Sequence, residues 1–272
     1  MKNIRFGLIG HPIEHSLSPA LFKAGYGGKY PYELIQGEDF ETSYQRFIDN
    51  YEGINVTAPF KEMAYAKADI VSEECRLCKA ANLLIKTPEG IKAYNSDLLG
   101  VRMWLMEILN HPSVASDFPT TLVVGCGGAG RAAASAAASL GMKVVLMNRN
   151  MERAERLSDD LRSMGYDAES RPLDDFRTCF AEAVIIIYNI PAPIPELTAL
   201  TKEDFAPGKA KFILEANYRV PSFDEALLAG MREANPLAQY TSGRTWLLYQ
   251  ALTGYEIFTE EKPDLEKMAA VL

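Results

Sequence analysis

Thr121-Leu122-Val123-Val124-Gly125-Cys126-Gly127-Gly128-Ala129-Gly130, followed by the alanine-rich run 131–139, is the stretch whose reading decides the fold. Thr-Leu-Val-Val is short, apolar and partly β-branched, the composition of a buried strand. The alanines after it favour helix. Gly125, Gly127 and Gly130 stand between the two at G-x-G-x-x-G spacing. That spacing alone is a weak signal. Strand, glycine turn and helix in this order bring backbone N–H groups and the positive end of a helix dipole up to a pyrophosphate. Gly125, Gly127, Gly128, Ala129 and Gly130 are therefore expected to bind a dinucleotide.

The following segment, Lys143–Asn150 (KVVLMNRN), reads as the next strand. A site for NAD ordinarily carries Asp or Glu at the end of that strand, bonded to the ribose 2′-OH. This chain has Asn148 and Arg149 there, with Arg153 one helical turn further on. A guanidinium pairs well with a phosphate and poorly serves a bare hydroxyl, so the expected cofactor is NADP. Arg153 reads equally well as the salt-bridge partner of a helix neighbour. Beyond it, MERAERLSDDLRSMG is a charged helix, and EAVIIIYNI and KFILEANY are apolar strands expected to be parallel and buried.

The first third of the chain alternates strand and helix as well. IRFGLIG and YELIQ read as strands, SPALFKAGY and FETSYQRFIDNY as helices, and residues 53–57 as a short strand. Residues 61–80 read as one helical run, and AANLLIKT with IKAYNS as a hairpin about Pro88-Glu89-Gly90. A helix follows in LLGVRMWLMEILN, and residues 110–121, polar with two prolines, read as a linker. RTWLLYQALTGYEIFT is a final amphipathic helix. The expected fold class is α/β in two domains. Residues 1–102 with 240–272 form an α/β substrate domain to which the C-terminal helix returns. Residues 103–239 form a Rossmann-type dinucleotide-binding domain.

Composition narrows the function classes. The chain has 272 residues and a net charge of −8. An acidic balance without a basic stripe argues against nucleic acid as a partner. No stretch approaches the ~18 apolar residues of a membrane span, and MKNIRFGLIGHP reads as a first strand and turn, not a signal peptide. A cytoplasmic location is expected. The four cysteines give no disulfide framework, and the lone Cys75-x-x-Cys78 reads as two reduced thiols one helical turn apart. With only His11, His15 and His111 available, no metal site is expected.

Polar motifs cluster in the N-terminal half. Ser16 and Ser18 place two hydroxyls at the mouth of a helix, where they could donate to an anion or simply cap the helix. Asn55 and Thr57, spaced by two, share a strand face, and Lys61 follows. Asn95-Ser96-Asp97 supplies a carboxylate after another strand. A Lys and an Asp meeting in one pocket can hold a hydroxyl between them and pass its proton. Each of these residues, taken singly, is also an ordinary turn or surface residue.

Together these segments resemble the shikimate dehydrogenase family. GHPIEHSLSP, INVTAPFKE, AAN at 80–82, YNSD at 94–97, GCGGAGRA, NRNMER and LLYQA at 247–251 occur in the family's order over nearly the whole chain. The resemblance implies an NADP-dependent oxidoreductase that reduces 3-dehydroshikimate reversibly to shikimate, a step toward chorismate and the aromatic amino acids. It implies Lys61 and Asp97 as the catalytic pair. It implies Ser16, Ser18, Asn55, Thr57, Asn82, Tyr218 and Gln250 as substrate-binding residues, and Gly243 beside the nicotinamide. The partner expected is the small-molecule substrate alone, in a monomer or homodimer.

The chain departs from the family at several points. It has Asn95-Ser96-Asp97 for Asn-Thr-Asp, Leu83 after Asn82, and the proline-rich Ile187-Tyr188-Asn189-Ile190-Pro191 loop. Arg244-Thr245-Trp246 also replaces a smaller stretch. Three other readings stand beside the first. One is a quinate/shikimate dehydrogenase using NAD, and one is a shikimate-binding protein that has lost its cofactor site. The third is a Rossmann dehydrogenase of another substrate class, which the serine pair and NVTAPFK disfavour.

Overall fold

A computed structural model of the chain describes residues 4–114, 119–205 and 208–272. It divides into two compact units, residues 1–100 with 247–272 and residues 101–246. Residues 115–118 of the expected linker lie outside the described residues.

In the first unit, β1 (Phe6–Gly10), α1 (Ser18–Tyr26), β2 (Tyr32–Gln36), α2 (Phe40–Asn50) and β3 (Gly53–Val56) alternate strand and helix. Then come α3 (Lys61–Lys67), β4 (Ile70–Val71), α4 (Glu73–Cys78), β5 (Leu83–Thr87) and β6 (Gly90–Tyr94), and α5 (Ser96–Leu109) leads out of the unit. The sheet order is β2-β1-β3-β5-β6-β4. β1 is parallel to β2 and β3, whereas β5 runs antiparallel to both β3 and β6. The expected hairpin is therefore present as the antiparallel pair β5–β6.

The single helical run expected over 61–80 is corrected to two short helices separated by a strand. Ile70 and Val71 pair with Lys92 and Ala93 of β6. Two apolar β-branched residues in a row satisfy a sheet edge better than a helix surface. Asp69 Oδ2 also accepts from the Ile91 amide at 2.8 Å, which holds the chain out of helix at that point. Cys75 and Cys78 are both buried on α4 and in no disulfide, and burial pushes the Cys75 thiol up to about 12.

Two apolar clusters cover the faces of this sheet. Phe40, Tyr44 and Phe47 of α2 pack with Ile9, Ile35 and Ile54 on one side. On the other, Leu21 and Phe22 of α1 pack with Phe6, Ala251, Tyr255 and Phe258. The last three belong to α11 (Gly243–Thr259), which is followed by α12 (Leu265–Ala269). α11 lies close to α5 because Gly100 has no side chain. A Cβ there would stand 2.5 Å from the Gln250 backbone nitrogen.

The second unit contains β7 (Thr121–Val124), α6 (Gly128–Ser139), β8 (Val144–Met147), α7 (Met151–Ser163) and β9 (Ala168–Ser170). It continues with α8 (Phe176–Glu182), β10 (Ile185–Tyr188), α9 (Pro195–Thr198), β11 (Lys211–Glu215), α10 (Glu225–Ala234) and β12 (Ala238–Ser242). All its strand pairs are parallel, in the order β12-β11-β10-β7-β8-β9. This is the Rossmann order, with the direction of winding reversing between β7 and β10. Parallel strands buried on both faces read as unbroken apolar runs, as β7, β8 and β10 do here. The boundary expected before residue 240 moves to Leu247, because Ala238–Ser242 is the sixth strand of this sheet, paired with β11.

Lys211 opens β11 and is 1 % exposed. No carboxylate meets it among the described residues. Its ammonium donates to the carbonyls of Phe180 and of Ala183, the latter at 2.8 Å, at the C-terminal end of α8. The helix dipole favours a cation there, yet burial lowers its pKa from 10.5 to about 8. Below pH 8 both folded and unfolded chains hold this proton; between about 8 and 10.5 the unfolded chain holds more. This group's contribution to stability therefore rises with pH across that window, by about 3 kcal/mol in full. Tyrosines and thiols titrate in the same range, so the measurement is a difference. Urea unfolding of wild type and Lys211→Met should diverge in favour of wild type from pH 7.5 to 10.5. Parallel curves would show that Lys211 is not desolvated.

Candidate active site

Lys61 and Asp97 each lie in the first turn of a helix, Lys61 opening α3 and Asp97 near the start of α5. Asn95 sets the second of these starts: its Oδ1 accepts from the Leu98 amide at 3.0 Å and its Nδ2 donates to Ala80 O at 2.9 Å. A cation at a helix N-terminus opposes the helix dipole, and an adjacent carboxylate offsets that. Lys61 Nζ lies 2.6 Å from Asp97 Oδ2, the two side chains being 22 % and 13 % exposed. The pair is thus sheltered but reachable.

Around it the first unit gathers a set of amides. Asn82 is buried. Its Oδ1 accepts from the Ser96 amide at 2.7 Å, and its Nδ2 donates to Ser96 Oγ at 3.0 Å and to Gln250 Oε1 at 3.4 Å. The Asn82 carbonyl accepts from Asn55 Nδ2 at 3.3 Å and from the Val56 amide at 2.8 Å. Thr57 lies just past β3, its amide donating to Ile9 O at 3.0 Å. Gly10 makes room for it, since a Cβ there would lie 2.3 Å from Thr57 Cγ2.

Ser16 and Ser18 do not cap α1. The N-cap is Leu17, with no side-chain capping bond. Instead Ser16 Oγ accepts from the Ser18 amide at 3.2 Å and donates to Ser18 Oγ at 3.1 Å. Two residues that the sequence reading passed over stand behind them. Tyr255 Oη donates to Ser18 O at 3.0 Å, and Tyr32 Oη donates to Asn55 Oδ1 at 2.8 Å. The signal for Tyr32 was register: Phe6 pairs with both Tyr32 and Gly53, which puts Tyr32 and Asn55 on one face of the sheet.

In the second unit the glycine turn has the geometry of a phosphate cradle. Gly125 has φ 95°, a left-handed conformation that favours glycine. A Cβ on Gly130 would stand 1.7 Å from Gly125 O, whereas one on Gly127 or Gly128 would meet nothing within 4 Å. The space over Gly127 and Gly128 at the start of α6 is therefore open. Asn189 follows β10 at the switch point, and its buried Oδ1 has no partner. The Asn148 side chain is committed to the turn itself, its Oδ1 accepting from the Cys126 amide at 3.1 Å.

Arg149 and Arg153 are both exposed, and neither forms an ion pair among the described residues. The helix pairs of α7 are Arg156–Glu152 and Arg162–Asp159 instead. Two free guanidiniums beside an open glycine turn fit a dinucleotide carrying an extra phosphate.

Tyr218 and Gly243 also belong to the second unit. Tyr218 is partly buried on the loop after β11. That loop is held by Glu215, fully buried, whose carboxylate accepts from the amides of Ser222 and Phe223 and from Tyr240 Oη at 2.8 Å. Gly243 is required where it is, since a Cβ would lie 2.2 Å from Ala216 O. Trp246 is 5 % exposed, so its bulk is taken up inside the protein. The proline-rich loop is clamped from two sides, by Tyr188 Oη on Ala192 O at 2.8 Å and Asn217 Nδ2 on Pro191 O at 3.1 Å.

A Rossmann unit with a phosphate cradle, joined to an α/β unit that holds a sheltered Lys–Asp pair, defines a dinucleotide-dependent oxidoreductase. The chain belongs to the shikimate dehydrogenase family. The family model of the shikimate dehydrogenase substrate binding domain matches residues 8–84, and that of shikimate / quinate 5-dehydrogenase matches residues 113–214. A shikimate dehydrogenase (NADP(+)) of Acinetobacter baumannii is 30 % identical over 271 residues, covering 96 % of this chain and 98 % of that protein. One from Carboxydothermus hydrogenoformans is 26 % identical, with 96 % and 94 % covered. The Thermus thermophilus shikimate 5-dehydrogenase in complex with NADP(H) and shikimate superposes with a TM-score of 0.78 at 25 % identity, covering 98 % of each chain.

The cradle makes two neighbouring glycines behave differently. Gly130→Ala forces Cβ into a carbonyl and should destabilise the protein by about 1–3 kcal/mol. Gly127→Ala meets open space and should leave thermal stability within about 0.5 kcal/mol while weakening dinucleotide binding. Thermal unfolding and NADP titration of both variants check this; equal stability losses would contradict it.

Proposed function

We propose that the protein is an NADP-dependent shikimate dehydrogenase, interconverting 3-dehydroshikimate and shikimate. The observation that carries this reading is the sheltered Lys61–Asp97 pair, 2.6 Å apart, among amides that suit a polyhydroxylated ring. The first unit holds the substrate and the second the dinucleotide. Ser16 and Ser18 bind the substrate carboxylate, and Asn55, Thr57, Asn82 and Gln250 bind ring hydroxyls. The dinucleotide, when bound, supplies or takes up the hydride. Gly125–Gly130 and the Asn148 turn would hold its pyrophosphate, Arg149 and Arg153 its ribose phosphate, and Gly243 would lie beside the nicotinamide.

Lys61, as an ammonium, stabilises negative charge developing on the reacting ring oxygen and gives that oxygen its proton. In the reverse direction the Lys61–Asp97 pair takes the hydroxyl proton. Asp97 holds the ammonium in place and accepts from a neighbouring ring hydroxyl. The free Arg149 and Arg153, and the NADP(+) specificity in the names of the relatives, support NADP over NAD.

The assay is the formation of NADPH with shikimate, run beside the three other pairings of shikimate or quinate with NADP or NAD. Lys61→Ala should lower turnover by ~10²–10⁴-fold while NADP affinity is kept. Wild-type turnover in that variant would sink the assignment. Arg149→Ala should weaken NADP binding by about tenfold or more, as expected for loss of a charge-assisted hydrogen bond, with little effect on NAD. An equal loss with both cofactors would place Arg149 away from the ribose.

A further inference from the structure

The amides of the first unit can each be given a direction, because two of their partners have no choice. The Ser96 amide can only donate, so the atom facing it at 2.7 Å is Asn82 Oδ1, and Asn82 Nδ2 faces Gln250 Oε1. A main-chain carbonyl can only accept, so the Asn55 atom facing Asn82 O is Nδ2. Asn55 Oδ1 is then turned toward Tyr32, whose hydroxyl donates to it at 2.8 Å. Each carboxamide nitrogen carries two hydrogens, and Asn55 Nδ2 spends one on Asn82 O.

We infer that Tyr32 is a positioning residue: its phenol occupies Asn55 Oδ1, so that Asn55 meets the substrate as a hydrogen-bond donor through Nδ2. This rests on the reading of the first unit as the shikimate-binding unit. Tyr32 stands on β2 and reaches across β1 to the end of β3. It is held by Phe22, 4.8 Å between ring centroids, and by Tyr255, 6.0 Å. Burial raises its pKa well above 10.0, and the Ser18 hydroxyl close by counters part of that rise. The phenol therefore keeps its proton at any pH used for assay. Tyr32 thus links Asn55 to the surroundings of Ser18, residues read above as hydroxyl-binding and carboxylate-binding. It does not itself contact the reacting atoms.

The test is steady-state kinetics on the full chain. Tyr32→Phe keeps the ring and removes the donor. It should raise KM for shikimate by about 3–10-fold, the loss expected for one hydrogen bond, and leave kcat and the KM for NADP within about twofold. In an Asn55→Ala background the same substitution should change KM for shikimate no further, a non-additivity that a purely structural role does not produce. Asn55→Asp probes the assigned direction without touching Tyr32. It keeps an acceptor for the phenol and loses the Nδ2 donor, so it should raise KM as much as Asn55→Ala does. An unchanged KM in a folded Tyr32→Phe, or additive effects, or an Asn55→Asp variant that binds shikimate as wild type does, would each overturn the inference. If Tyr32→Phe does not fold, the Asn55→Asp result still decides the amide direction. Absence of shikimate oxidation by wild type would defeat the proposed function instead, and is seen before any variant is made.

Discussion

Asn82 is buried and hydrogen-bonded through both its main chain and its carboxamide, and the polar half of the first unit is organised around that constraint. Its amide donates to Tyr94 O, and its carbonyl takes the Val56 amide and the Asn55 side chain. Its carboxamide meets Ser96 at both backbone and hydroxyl, and Gln250. One residue therefore joins β3, the β5–β6 hairpin, α5 and α11. A buried polar group that loses its partner costs about 1–3 kcal/mol, so these elements are fixed relative to one another within the unit. Asp97 follows Ser96 directly, so the register of the carboxylate that pairs with Lys61 is inherited from Asn82 through one peptide.

Glycine supplies the room that this arrangement needs. Gly100 admits the backbone of α11 at Gln250, Gly254 admits Ser96 and Leu83, and Gly10 admits Thr57. In the second unit Gly130 admits Gly125 O. These contacts involve mostly backbone or short side chains, where a neighbour can give way least. Both units thus reach their site geometry by the same means, backbone brought closer than a Cβ allows, with polar groups then paired across the gap.

Much of this was legible in the chain of residues. The strand–glycine–helix order at 121–139 gave the Rossmann unit, because G-x-G-x-x-G between an apolar run and an alanine run has few other uses. Serine, asparagine and Lys/Asp motifs in order along the chain carried the family resemblance. Other features were not legible, for identifiable reasons. β4 is two residues long, too short for periodicity to show. β12, with its mixed Ala-Gln-Tyr-Thr-Ser, lies at the sheet edge and lacks the apolar signature of its neighbours. Glu215 looked like any strand-end carboxylate, and only the returning loop shows that three donors converge on it.

The sequence by itself determined the two α/β units, the phosphate cradle, the absence of an acid at the ribose position and the identity of the polar residues available for chemistry. Local composition and spacing carry all of these, since they depend on propensity, periodicity and residue type. Tertiary structure alone decided which of those residues meet. Lys61 and Asp97 are 36 positions apart and Asn82 and Gln250 are 168 apart, distances over which spacing says nothing. It also decided the direction in which each amide points, because that follows from partners with only a donor or only an acceptor to offer, and those partners are main-chain groups brought in by the fold.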